Sequence, residues 1–147
     1  VTDLNLQKKK IAKKLKLNFI EFKNVDNCDS IINTTSSYNV LNDSFAKLNL
    51  DGKFIEASWY GNKIGKLNLG NEFHSKRLKI ISSQVSNIPV HMKKKHNYKS
   101  RLKIAIDALS NDEIMILINS NSKFNNLEND YISILNNENI IIHAIKY

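Results

Sequence analysis

Cysteine is almost missing from this sequence. Cys28 is the only one in 147 residues, which excludes an internal disulfide and any zinc cluster built from thiolates, and which fits a reducing, cytoplasmic setting. Cys28 stands between Asn27 and Asp29, with Asp26 nearby, and acidic neighbours do not favour a thiolate, so it reads as a structural cysteine. No apolar run approaches the roughly 20 residues needed to cross a bilayer, which argues against a membrane protein. The opening Val1-Thr2-Asp3-Leu4-Asn5 lacks the basic start and apolar stretch of a signal peptide. It also lacks an initial Met, so the chain reads as processed, truncated or partial.

Glycine and proline are scarce too, at four and one residues. Gly61, Gly65 and Gly70 share one stretch, residues 60–73, but with the wrong spacing for the Gly-x-Gly-x-x-Gly loop that cradles a pyrophosphate. A Gly-x-x-x-x-Gly-Lys-Ser/Thr phosphate loop is absent as well. No Ser–His–Asp or Cys–His pattern is supported by spacing. The four histidines are His74, His91, His96 and His143. His91 and His96 sit five apart in a lysine-rich run and make a poor zinc pair without a nearby carboxylate or thiolate. His74 lies on a strand approach, where a hydrogen-bonded structural role outweighs that of a catalytic base.

What the chain has in quantity is positive charge, +8 overall, with 41% hydrophobic residues. That is enough apolar material for one globular domain with a core. The charge accompanies heavy Asn and Ile use, which reads as compositional drift along the whole sequence more than as one basic patch. The run from Lys93 to Arg101, interleaved with His96 and Tyr98, faintly echoes nucleic-acid-binding patches but reads first as a solvated linker and helix start.

The order of elements is more informative. Residues 6–17 form an amphipathic pattern with Ile11, Ala12 and Leu15 inward and lysines outward, with Asn5 as a candidate N-cap. Residues 18–22 alternate as a short strand. Residues 30–33 read as a buried strand ending in the small polar run Thr34-Thr35-Ser36-Ser37. Residues 38–48 are helical, with Val40, Leu41, Phe45 and Leu48 on one face. After an Asp51-Gly52 turn, residues 53–58 form a third strand and residues 78–83 a fourth. Beyond Pro89 the pattern predicts a helix at 99–109, a strand at 113–119, a helix at 127–135, and a terminal strand at 140–147 apolar enough to be covered on both faces. Strands alternating with helices indicate βαβ crossovers and a parallel sheet, whose ligands lie outside the strands' carboxyl ends. Those ends are Asp3, Thr34 to Ser36, and Ala57 to Trp59. An acidic residue closing the second strand of a dinucleotide-binding fold accepts hydrogen bonds from the adenosine ribose and repels a 2′-phosphate, which favours NAD over NADP. An aspartate at a helix start is also favoured simply by the helix dipole.

Together these pieces resemble the C-terminal part of a medium-chain dehydrogenase/reductase of the zinc-type alcohol dehydrogenase superfamily. The resemblance rests on Val1-Thr2-Asp3-Leu4-Asn5 followed by Ile11-Ala12-Lys13-Lys14-Leu15, with Lys16 where relatives carry Gly. It continues through Asp29 to Ser36 and through Asp51-Gly52-Lys53-Phe54-Ile55-Glu56. More specific are Ser58-Trp59-Tyr60-Gly61, then Leu69-Gly70 with Phe73-His74-Ser75-Lys76-Arg77-Leu78, then Ser82-Ser83-Gln84-Val85, which resemble a bacterial zinc-binding, alcohol-dehydrogenase-like subgroup.

The resemblance implies a partial Rossmann fold, a parallel sheet with flanking helices lacking its first strand and glycine-rich loop. Residues 1–85 would be the partial NAD(P)-binding domain, and residues 86–147 a C-terminal segment completing the sheet and returning toward an absent catalytic domain. Asp3 would bind the adenosine ribose with Lys8 beside it. Thr34, Thr35, Ala57, Ser58, Trp59, Ile81 and Ser82 would line the nicotinamide-ribose side, with Ser58 where many relatives have Gly. The expected cofactor is NAD, with NADP disfavoured. Zinc, the catalytic residues and the substrate pocket would belong to the missing N-terminal part, or to a complementary chain, and the isolated chain would be inactive. The competing reading is a small basic module that binds nucleic acid or an acidic partner without catalysis.

Overall fold

The computed structural model describes all 147 residues. The chain forms two compact units, a central one of residues 23–88 and a discontinuous one of residues 1–22 and 89–147. Both are α/β with parallel strands, the class expected from the sequence.

The central unit is a three-stranded parallel sheet in the order β1 (Cys28–Asn33), β2 (Leu48–Glu56), β3 (Lys79–Ser82). Helix α2 (Tyr38–Lys47) makes the crossover from β1 to β2, and the short α3 (Asn71–Ser75) precedes β3. Ser37 starts α2 by accepting a hydrogen bond from the Val40 N–H through its hydroxyl. Leu41, Phe45 and Leu48 then recur at helical spacing and meet Phe54 and Leu78 in the core. Phe54 is fully buried, Phe45 lies edge-on to it at 6.5 Å, and Phe73 of α3 closes on Phe45 at 5.4 Å. Ser44 is buried on the same helix and satisfies its hydroxyl on the Val40 carbonyl at 2.6 Å.

The expected turn at Asp51-Gly52 lies inside β2 as a bulge, because pairing with β1 begins at Leu48 and resumes at Lys53. Asp51 takes a positive φ of 60°. A Cβ on Gly52 would stand 2.8 Å from the Asn49 carbonyl oxygen and 3.0 Å from the Leu48 Cβ, so close backbone approach requires glycine there.

In the discontinuous unit, α1 (Lys8–Lys14) buries Ala12, with Ile11 and Leu15 half-buried. Asn5 accepts from the Gln7 N–H through its side chain, at the turn entering the helix instead of at its N-cap. Lys16 ends the helix at φ 56°, while the Leu17 N–H donates to the Ala12 carbonyl at 2.8 Å. The strand expected at residues 18–22 does not form. Asn18 and Ile20 bond only to Val1, and Phe22–Asn24 coil into a 3-10 turn. Two bonds to one residue do not make a ladder.

Helix α4 (Tyr98–Leu109) starts with a reciprocal capping box between Asn97 and Ser100. The strand expected at residues 113–119 is displaced. Asn111 caps the short α5 (Asp112–Met115) by accepting from the Glu113 N–H, and two acidic residues suit that helix start. The strand β4 (Ile118–Lys123) follows, then a 3-10 turn (Phe124–Asn126), α6 (Leu127–Asn136) and β5 (Ile142–Lys146), parallel to β4. Ile142 and Ile145 of β5 remain partly exposed, so this strand is not covered on both faces as expected. A single crossover helix shields only one face of a two-stranded ribbon.

Candidate functional site at the strand ends

The carboxyl ends of the three central strands finish level. Asn33 of β1 pairs with Glu56 of β2, and Glu56 pairs with Ser82 of β3. The ladder runs one residue further, with the Ala57 N–H on the Asn33 carbonyl at 2.9 Å and the Ser83 N–H on the Glu56 carbonyl at 2.8 Å. This register puts Thr34, Thr35, Ala57, Ser58, Ile81 and Ser82 along one edge of the sheet. Thr34, Ala57, Trp59, Ile81 and Ser82 are exposed there, the Trp59 indole at 86%.

Thr35 and Ser58 belong to a hydrogen-bond network centred on Glu56. The Glu56 carboxylate accepts from the Ser58 N–H at 2.9 Å and from the Ser58 hydroxyl. Its other oxygen accepts from the Asn33 side-chain amide at 2.9 Å and the Tyr60 hydroxyl at 2.9 Å. Asn33 is buried at 3% exposure, and its Oδ1 accepts from both the N–H and the hydroxyl of Thr35 at 3.2 and 2.8 Å. The Ser58 Oγ in turn accepts from the Ser36 N–H at 2.8 Å, where Ser36 takes a positive φ of 49°. Tyr60 leans on Tyr38 with ring centroids 4.7 Å apart, and Gly65 packs so closely that a Cβ would overlap the Tyr38 ring.

Burial works to raise the Glu56 carboxyl, but the hydrogen bonds from Ser58, Asn33 and Tyr60 outweigh it and hold the group below its ordinary value. Burial first, then the hydrogen bond to Glu56 and that group's charge, push the Tyr60 phenol up to about 12. At neutral pH the network therefore holds one carboxylate and one neutral phenol. Sequence reasoning singled out Thr35 and Ser58 but missed Asn33, Glu56 and Tyr60. The available signal was polar residues at or just past the last positions of two strand-like runs.

Asp3 and Lys8 lie in the discontinuous unit. Asp3 Oδ1 accepts from the Asn5 N–H at 2.8 Å, and Oδ2 pairs with the Lys8 ammonium at 3.0 Å. Both side chains are about one-third exposed, at 35% and 32%, and they border a cavity of about 600 Å³ shared with Asn5, Glu138, Ile141 and His143. His143 is held between the Ser120 and Ser122 hydroxyls, each 2.9 Å from a ring nitrogen. His74 lies on α3, not on a strand approach. No group of three His, Cys, Asp or Glu side chains is placed to hold a metal ion, so the chain's own residues offer zinc no ligand set. No helix is long and apolar enough to cross a membrane.

No protein-family model and no curated protein matches the chain. Solved structures do. L-idonate 5-dehydrogenase from Escherichia coli K-12 superposes with a TM-score of 0.75 at 10% identity, covering 99% of this chain and 42% of its own. For 2R,3R-butanediol dehydrogenase from Bacillus subtilis the values are 0.73 and 9%, with the same coverage. A Bacillus subtilis protein solved with NAD bound gives 0.72 at 11% identity, covering 99% of this chain and 46% of its own. The fold is that of the medium-chain dehydrogenases. Identities this low establish the fold alone, and the chain spans less than half the length of each of these proteins.

Proposed function

We propose that this chain supplies part of the dinucleotide site of an NAD-dependent, alcohol-dehydrogenase-like oxidoreductase. The observation that carries the reading is the level row of strand ends Asn33, Glu56 and Ser82, within a fold that matches dehydrogenases over 99% of the chain. Asp3 accepts from the adenosine ribose. Its two oxygens are already oriented by the Asn5 N–H and Lys8, and each keeps a lone pair for a ribose hydroxyl. Thr34, Thr35, Ala57, Ser58, Trp59, Ile81 and Ser82 line the nicotinamide-ribose side, partly through backbone groups. The preference is for NAD, because a 2′-phosphate would meet the Asp3 carboxylate. Lys8 at 3.0 Å tempers that repulsion without removing it.

When bound, NAD supplies the hydride acceptor or donor for an alcohol or carbonyl carbon. The chain's residues bind and orient it. The acid–base groups, the zinc and the substrate pocket are assigned to a complementary part of the protein, and these 147 residues alone are expected to turn over no alcohol. Calorimetric titration of the full-length protein with NAD+ and with NADP+ tests the reading. Saturable NAD+ binding at least tenfold tighter than NADP+ supports it, and no saturable heat with either overturns it.

A further inference from the structure

The Glu56 hub has a consequence of its own. We infer that Glu56 is a positioning residue whose carboxylate ties the loop after β1 to the loop after β2, fixing the strand-end wall that the proposed function assigns to the cofactor. The binding half of this inference rests on that reading, and the structural half does not.

Four donor hydrogens converge on the carboxylate, from the Ser58 N–H, the Ser58 hydroxyl, the Asn33 amide and the Tyr60 hydroxyl. A carboxylate is the one side-chain group that accepts everywhere and donates nowhere, with about four lone-pair sites. The Asn33 amide cannot turn to suit another partner, because its Oδ1 is held by the N–H and hydroxyl of Thr35. Both routes out of Glu56 reach the β1 loop. One runs through Asn33 to Thr35, the other through the Ser58 hydroxyl to the Ser36 N–H, where the backbone is left-handed at a non-glycine residue. A left-handed serine persists only where its surroundings over-determine it. Replacing the carboxylate with an amide of the same shape sets an N–H2 group against fixed donors, and a buried donor left unpaired is costly. The Ser58 hydroxyl meets the Ser36 N–H directly and the Tyr60 hydroxyl lies 3.4 Å from the Ser37 carbonyl, and Glu56 holds both of those side chains.

The experiment uses the full-length protein as wild type, Glu56→Gln, and the exchange Asn33→Asp with Glu56→Gln. The exchange moves the charge to the other side of the same contact and restores donor–acceptor matching. It is read by amide hydrogen exchange and by NAD+ calorimetry. Glu56→Gln is expected to speed exchange at the Thr35, Ser36 and Ser58 amides by about tenfold or more, with Phe54 and Ile55 unchanged, and to weaken NAD+ by about tenfold. The double exchange should return both readouts to within about threefold of wild type. In wild type the loop amides should also lose protection, after correction for intrinsic rates, as pH falls below the ordinary carboxylate range, while Glu56→Gln shows no such step. Unchanged loop exchange in Glu56→Gln, or failure of the double exchange to restore it, overturns the tie. If wild type binds no NAD+, the cofactor reading fails and the exchange data alone decide the role of Glu56. If Glu56→Gln does not fold, Ser58→Ala takes its place, with faster exchange confined to Ser36 and Ser58 supporting the tie and wild-type rates overturning it.

Discussion

Glu56 and Tyr60 titrate in opposite directions, and the signs give two predictions at the scale of single residues. Glu56 is held below its ordinary 4.5, so its network stabilises the fold above that value and is lost as pH falls through the lowered one. Urea midpoints of wild type should therefore fall toward those of Glu56→Gln as pH drops from 6 to 3, with the two differing most at the upper end. Tyr60 moves from 10.0 up to about 12, so the stability it contributes is complete below 10 and disappears as pH rises toward 12. Tyr60→Phe should flatten that alkaline loss, as followed by circular dichroism. Gly65→Ala should displace the Tyr38 ring from Tyr60 and cost about 1–3 kcal/mol in urea unfolding, with an altered near-ultraviolet tyrosine signal. At this scale the placing of Thr35 and Ser58 just beyond the strand ends was legible, because small polar residues follow the two apolar runs. Glu56 and Asn33 were not, since only the register of β1 against β2 brings together two residues 23 positions apart.

Among the elements, α2 and the existence of β1 were legible from periodicity, because Leu41, Phe45 and Leu48 state a helix face and residues 30–33 a strand, although that strand is not of the buried type expected, with Ile32 67% exposed. Phe45→Ala should cost about 3–5 kcal/mol by equilibrium unfolding, since its ring sits between Phe54 and Phe73 at 2% exposure. Boundaries set by local capping were harder to read. Asn111 and two acidic residues convert the start of an apolar stretch into α5 and push β4 five residues onward from the expected 113 to 118. Residues 18–22 alternate like a strand, but Asn18 and Ile20 bond to Val1 and Phe22 enters a 3-10 turn. Lys16 stands where relatives of the resembled family carry Gly, and it takes the left-handed conformation that favours glycine. Lys16→Gly should therefore stabilise the chain by about 1 kcal/mol in urea unfolding. Its exposed pairing with Glu113 at 3.4 Å is worth too little to reverse the sign.

For the whole molecule, alternation of strands and helices announced a parallel α/β fold, and the dehydrogenase superpositions agree over 99% of the chain at 9–10% identity. Hydrophobic period and crossover geometry fix such a fold while leaving most side chains free, so sequence identity can fall this far without changing it. The +8 charge, by contrast, carried no architectural information. Function depends on a few side chains set on that frame, and Asp3 is the one on which the cofactor reading turns. The most direct test is the shift in thermal unfolding midpoint that saturating NAD+ produces in the full-length protein, compared between wild type and Asp3→Ala. The account predicts clear protection of wild type and, at equal NAD+ concentration, protection reduced by an amount corresponding to about tenfold weaker binding in Asp3→Ala. Equal protection of both proteins, or protection of neither, would contradict it.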